Sequence, residues 1–176
     1  MTSKAYALAS LLLLAPACGV FAQELPPPDD YESRQWVESE APPPPAFDLD
    51  RLIPIDVGPR SNLHYGIDPK TIQITHQDGL VRYVLVARSN SGTINVRYDA
   101  IRCATSEIKT YAYANSADGG WQRQDNPPWR PLEGRLSASY AQALVDGGMC
   151  VGKSVNGPVP HMIDALKRGG IPTQQS

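Results

Sequence analysis

Apolar and polar residues alternate over Thr71-Ile72-Gln73-Ile74-Thr75, the period-two pattern of a half-buried strand. Asp78-Gly79 supplies a turn, and Leu80 to Arg88 follows as a second strand, with Val81, Tyr83, Leu85 and Ala87 sharing one face. Ser89-Asn90-Ser91-Gly92 makes the next turn. Ile94, Val96 and Tyr98 then alternate in a third strand, and the change of phase at Ala100-Ile101 predicts a β-bulge before Arg102-Cys103. A fourth strand is predicted from Glu107 to Ala114, ending at Asp118-Gly119-Gly120, with a short segment opening at Trp121.

The period then changes. Ser137 to Val145 has capping serines, good helix formers and a stop at Gly147-Gly148, and His161 to Arg168 reads as a second short helix ended by Gly169-Gly170. The predicted architecture is α+β: an antiparallel meander of about four strands followed by one or two C-terminal helices. Residues 51–170 suit one domain with one modest core, and 171–176 read as a flexible tail.

The N-terminal third follows different rules. Lys4 precedes an apolar run from Ala5 to Ala17 and then small residues, the order of a secretory signal over 1–22, too short to span a bilayer comfortably. Cleavage after Val20-Phe21-Ala22 would leave Gln23 first. A competing reading lipidates Cys18 and anchors the chain to the outer membrane. The expected location is the periplasm, with no transmembrane helix in the mature chain. Residues 23–50 hold seven prolines, in the runs Pro26-Pro27-Pro28 and Pro42-Pro43-Pro44-Pro45, and are expected to be a largely disordered, partly polyproline spacer on which Trp36 and Val37 dock locally.

Charge divides the chain at the same place. Residues 24–50 carry eight acidic groups against Arg34 alone, net −7, whereas 51–176 carry fourteen basic and ten acidic groups, net +4. That asymmetry permits the acidic segment to fold back over a basic face, or the domain to approach an anionic surface. With Val81-Tyr83-Leu85 and Ile94-Val96-Tyr98 facing the core, Arg82 and Arg97 project from the opposite, solvated face beside Lys109. Such a cationic strip suits an acidic envelope protein or another anionic envelope component. Trp121 and Trp129, in and beside the Pro-rich loop Asp125 to Leu132, either anchor a partner or seal the edge of the core. Nucleic acid is not an expected partner.

Two cysteines outlast the signal. Cys103 and Cys150 are an even pair in an oxidising compartment and are expected to form a disulfide that pins the end of the first helix to the sheet.

Motifs of catalysis do not survive their physics. Gly147 to Ser154 matches G-x-x-x-x-G-K-S, yet it follows a helix and runs into Pro158 and Pro160 where a phosphate loop needs a strand before and a helix after. Ser106-Glu107-Ile108-Lys109 matches S-x-x-K but falls at a strand entrance, where positions three apart face opposite sides. His64, His76 and His161 form no metal-ligand spacing. No cofactor, metal or catalytic residue is assigned, and a hydrolase with a scattered site or a surface adhesin on a proline-rich stalk stand as alternatives to a non-enzymatic binding module.

Tyr98-Asp99-Ala100-Ile101-Arg102-Cys103, Lys109-Thr110-Tyr111-Ala112, Trp121, Trp129 and Cys150 together resemble the family named for a cryptic neisserial protein. The resemblance covers about residues 51–170. It implies a small exported envelope protein of a Gram-negative bacterium, in a family with no assigned activity and no catalytic residues to carry over.

Overall fold

Leu80 to Ala87 is buried at every position, so the longest strand is not half-solvated but sandwiched. In the computed structural model, which describes residues 35–59, 61–118, 120–132 and 139–169, that strand is the centre of an antiparallel sheet. The strands are β1 (Ile53–Ile55), β2 (Leu63–Ile67), β3 (Gln73–Thr75), β4 (Leu80–Ser89), β5 (Ile94–Arg102), β6 (Glu107–Ala114), β7 (Gln122–Arg123) and β8 (Arg130–Pro131). They run in the order β1-β2-β4-β5-β6-β7, with β3 also on β4 and β8 also on β6. The expected meander and its helices are present, widened by β1 and β2, whose short apolar stretches carry too weak a period to read.

Side chains of β4 divide between two layers. Val81, Tyr83 and Leu85 join Ile101 of β5, Ile108 of β6 and the helical layer: α1 (Ser139–Leu144), a wide helical turn over Val145–Met149 and α2 (Val159–Lys167). Tyr140, Leu144, Met149, Met162 and Leu166 fill this core. Leu80, Val84 and Val86 join Val96, Tyr98, Ala100 and Ala112 on the other face, against which Trp36, Ala41, Phe47, Leu49 and Leu52 pack. From Trp36 to Asp50, the segment expected to be a disordered spacer is therefore part of the second cover of the sheet, which continues to Leu52. Its prolines disfavour regular hydrogen bonding but do not prevent an extended chain from burying alternate apolar side chains. The expectations for residues 1–34, including the signal, Cys18 and Pro26 to Pro28, lie outside the described residues, as do Ser137 and 171–176.

Two local features set this arrangement. The bulge lies on β6 rather than at Ala100-Ile101: Tyr98 faces Ala112 and Asp99 faces Thr110, so Tyr111 is the extra residue. It brings both Tyr111 and Ala112 to the second face and turns Tyr113 toward the helical side, opposite Arg97. On β2, an added Cβ at Gly66 would stand 2.9 Å from the Leu52 Cβ, so only glycine lets the covering segment cross so closely.

Cys103, just after β5, and Cys150 are joined by a disulfide with Cα atoms 5.8 Å apart. Cys150 opens a small hairpin, β9 (Cys150–Val151) with β10 (Ser154–Val155), turning at Gly152. The G-x-x-x-x-G-K-S stretch is thus the end of a helical turn and a β-hairpin, and Ser106, at φ 54, sits in the turn before β6.

Candidate functional site

Arg82 and Arg97 do not form one strip. Arg82 faces Ala100 and Arg97 faces Leu85, which puts them on opposite sides of the sheet. A single strip requires Val81-Tyr83-Leu85 and Ile94-Val96-Tyr98 to share one face, but these two sets belong to different layers. Arg97 lies on the helical side. Its guanidinium meets Asp99 at 3.2 Å and lies 5.0 and 5.2 Å from the ring centroids of Tyr113 and Tyr140. Tyr140 donates to the same Asp99 at 2.9 Å, closing a packed polar cluster.

The second face brings the other four expected residues, Arg82, Lys109, Trp121 and Trp129, under one cover. Lys109 faces Ala100 across the β5–β6 ladder, the bulge sets Tyr111 beside it, and the loop before β8 lays Trp129 alongside. These three converge on one carboxylate. Glu38 accepts from Lys109 Nζ at 2.7 Å, the Tyr111 hydroxyl at 2.8 Å and Trp129 Nε1 at 3.0 Å. Burial alone would raise the Glu38 pKa, but these three donors outweigh it and hold the carboxyl below its ordinary value. The ammonium lies 5.3 Å from the Trp129 ring centroid, adding a cation–π contact.

Two residues earlier, Trp36 fills the neighbouring position. Its ring meets Trp129 edge-on at 6.0 Å and lies 3.6 Å from the Arg102 guanidinium carbon, while its indole N–H donates to the Asp78 carbonyl at 2.9 Å. Ser39 completes the grip. Its N–H donates to Asp78 Oδ2 at 3.1 Å, its hydroxyl donates to the same oxygen, and its carbonyl accepts from Arg82 at 3.2 Å. Arg82 and Asp78 pair at 2.9 Å with both side chains wholly buried. Burial raises the Asp78 pKa, whereas hydrogen bonds from Ser39 and Arg82 bring it below the ordinary value. Val37, between the two gripped residues, points outward and is 75% exposed.

Farther along, Asp68 fastens the same segment a second time. Its buried carboxylate accepts from the Asp48 N–H at 2.9 Å and from Arg51 at 2.8 Å. Phe47 meets Trp121 edge-on at 5.9 Å, so Trp121 is held by the cover as well as by Tyr98.

Chemically, the cleft binds an extended acidic segment: a cation and two neutral donors for a carboxylate, an aromatic wall with an arginine for an indole, and a charged pair for one peptide unit. Trp36, Glu38, Asp78 and Arg102 were not among the expected site residues. The signal that points to them is the lone tryptophan in an acidic, proline-rich stretch, opposite a strand whose apolar run is too continuous to have a wet face.

The histidines sit on separate elements. His64 of β2 meets the Asn90 amide oxygen at 2.9 Å, His76 is in the turn before β4, and His161 is in α2. Among the described residues, no group of three or more His, Cys, Asp or Glu side chains is placed to hold a metal ion, and no helix is long and apolar enough to cross a membrane.

A family model described as the CNP1-like family matches residues 31–167, most of the chain and all of the cleft. Among curated proteins, Cryptic neisserial protein 1 of Neisseria gonorrhoeae (strain ATCC 700825 / FA 1090) is 29% identical over 145 residues, covering 69% of this chain and 70% of the relative. No solved structure matches. The match begins ahead of Trp36, so the covering segment falls within the shared region and not in an appended tail.

Proposed function

The chain belongs to the CNP1-like family, and we propose that it is an exported, non-enzymatic interaction module of the bacterial envelope that binds an acidic segment of another protein on the second face of its sheet. One observation carries the reading: Lys109, Tyr111 and Trp129 hold a single carboxylate with three directed hydrogen bonds. Charge-assisted bonds made together at a half-buried site select an acidic side chain by geometry as well as charge. The apolar wall beside it supplies the desolvated anchor that productive interfaces share. The predicted signal at 1–22 supports the envelope location.

The test is a photo-cross-linking amino acid placed at Arg123, exposed on β7 and facing Ala112 on the second side of the sheet, in the full-length chain in living cells. A discrete protein adduct that disappears when Lys109→Met is added supports the reading. An adduct indifferent to Lys109, or none at all, refutes it. Cell fractionation of the same strain checks the location, and recovery in the cytoplasm would overturn it.

A further inference from the structure

The cleft that would receive a partner is already filled, and the filling is divided. The hydrogen bonds of the cover fall at its two ends: Trp36, Glu38 and Ser39 at one, Asp48, Asp50 and Arg51 at the other. Between them lie Pro42-Pro43-Pro44-Pro45, which have no N–H to donate. The inner end carries the large apolar contacts of Phe47, Leu49 and Leu52 and leads directly into β1. The outer end is held mainly through side chains, in the alternating in–out order of an extended peptide, with Trp36 and Glu38 inward and Val37 outward.

We propose that Trp36–Ser39 is a resident pseudo-ligand, and that the external ligand is an extended peptide of another protein carrying an aromatic residue and, two positions later, a carboxylate. This deepens the reading above and rests on it. Charge favours such an occupant: Arg82 and Asp78 offset each other and Arg102 has Glu107 at 3.8 Å, which leaves Lys109, whose ion-pair partner among the described residues is Glu38 of the segment itself, as the cation that asks for a carboxylate. Size favours it too, because the gripped stretch is a short peptide unit and the outward residue leaves its position free of sequence demand. Tethering sets the regulation. A covalently attached competitor acts at an effective concentration on the order of millimolar, so a free peptide of equal intrinsic affinity is excluded until the outer end lets go. The inner anchor keeps the rest of the sheet covered while it does so.

The experiment uses the full mature chain, wild type and Trp36→Ala/Glu38→Gln, titrated by fluorescence anisotropy with a labelled synthetic peptide of residues 35–41. The expected result is saturable binding to the variant, at least ten-fold tighter than to wild type, lost when the peptide itself carries Glu38→Gln or when the variant also carries Lys109→Met. Equal binding to wild type and variant, or no binding to a folded variant, overturns the proposal. Hydrogen exchange on the wild type gives a second measurement independent of the variant's folding. The Ser39 amide is expected to exchange at least a hundred-fold faster than amides of β5, through opening of the outer end alone. Equal protection of the two makes the segment a structural strap and overturns the exchange. A Lys109-dependent cross-linked adduct alongside failed peptide exchange would sink this inference while leaving the interaction reading standing.

Discussion

Replacing Asp78 by asparagine keeps the shape of the side chain and removes its charge at the most enclosed ion pair of the cover. The structure sets the size of the effect. Arg82 and Asp78 are both wholly buried and 2.9 Å apart, and the same Asp78 carboxylate also receives Ser39 and the Leu80 N–H. Removing one partner of a buried pair leaves the other as an uncompensated charge, which costs about 3–5 kcal/mol. Asparagine retains one acceptor, which favours the lower end, about 3 kcal/mol. For a domain of this size that corresponds to a fall in Tm of roughly 10 °C. Urea unfolding followed by circular dichroism at pH 7 measures it, with Glu107→Gln as the control. Arg102 and Glu107 are 3.8 Å apart and partly exposed, so that change is expected to cost less than about 1 kcal/mol. Pairing Asp78→Ala with Arg82→Met removes both charges and is expected to recover much of the loss, giving a coupling of about 2 kcal/mol or more. A loss below about 1 kcal/mol in Asp78→Asn would refute the account of Arg82 as a buried, charge-dependent anchor.

Acidification is expected to loosen the outer end. Glu38 and Asp78 both titrate lower folded than unfolded, so their contribution is complete above the ordinary glutamate value of 4.5 and is lost as pH falls through the depressed folded values; Trp fluorescence is expected to be flat from pH 7 to 5, to change only below, and to change less in Glu38→Gln. Gly66→Val would drive a side chain into Leu52 and is expected to destabilise the fold by about 1–3 kcal/mol in thermal unfolding, with a Leu52→Ala second change relieving part of it. The disulfide spans 47 residues, for which loop-closure entropy gives about 4 kcal/mol, so Cys103→Ala/Cys150→Ala is expected to lower urea stability by an amount approaching that.

Strands β4 and β6 were legible because each is long, with clear turn residues at its ends. Their layers were not. Alternation implies one wet face, whereas β4 is buried at every position from Leu80 to Ala87, and a continuous run records two-sided burial without saying what lies on either side. Lys109 and Trp129 were found by type, but their meeting depends on a bulge at Tyr111 that no local pattern marks. Glu38 was hidden for another reason: composition averages over a window, and the window around it is acidic and proline-rich. One tryptophan in register with one carboxylate suffices to dock such a stretch when a complementary cleft exists, and the cleft is made of residues far along the chain.

The cover of the sheet also comes first in the order of synthesis. A chain made from its N-terminus has Trp36 to Leu52 synthesised before β4 exists, so the apolar second face of Leu80, Val84 and Val86 has its shield waiting when it forms. Had the same shield followed the sheet, each new molecule would pass through an interval with that face bare, open to its neighbours. Placing the shield ahead of the strands makes the leading segment a built-in guard against self-association during assembly.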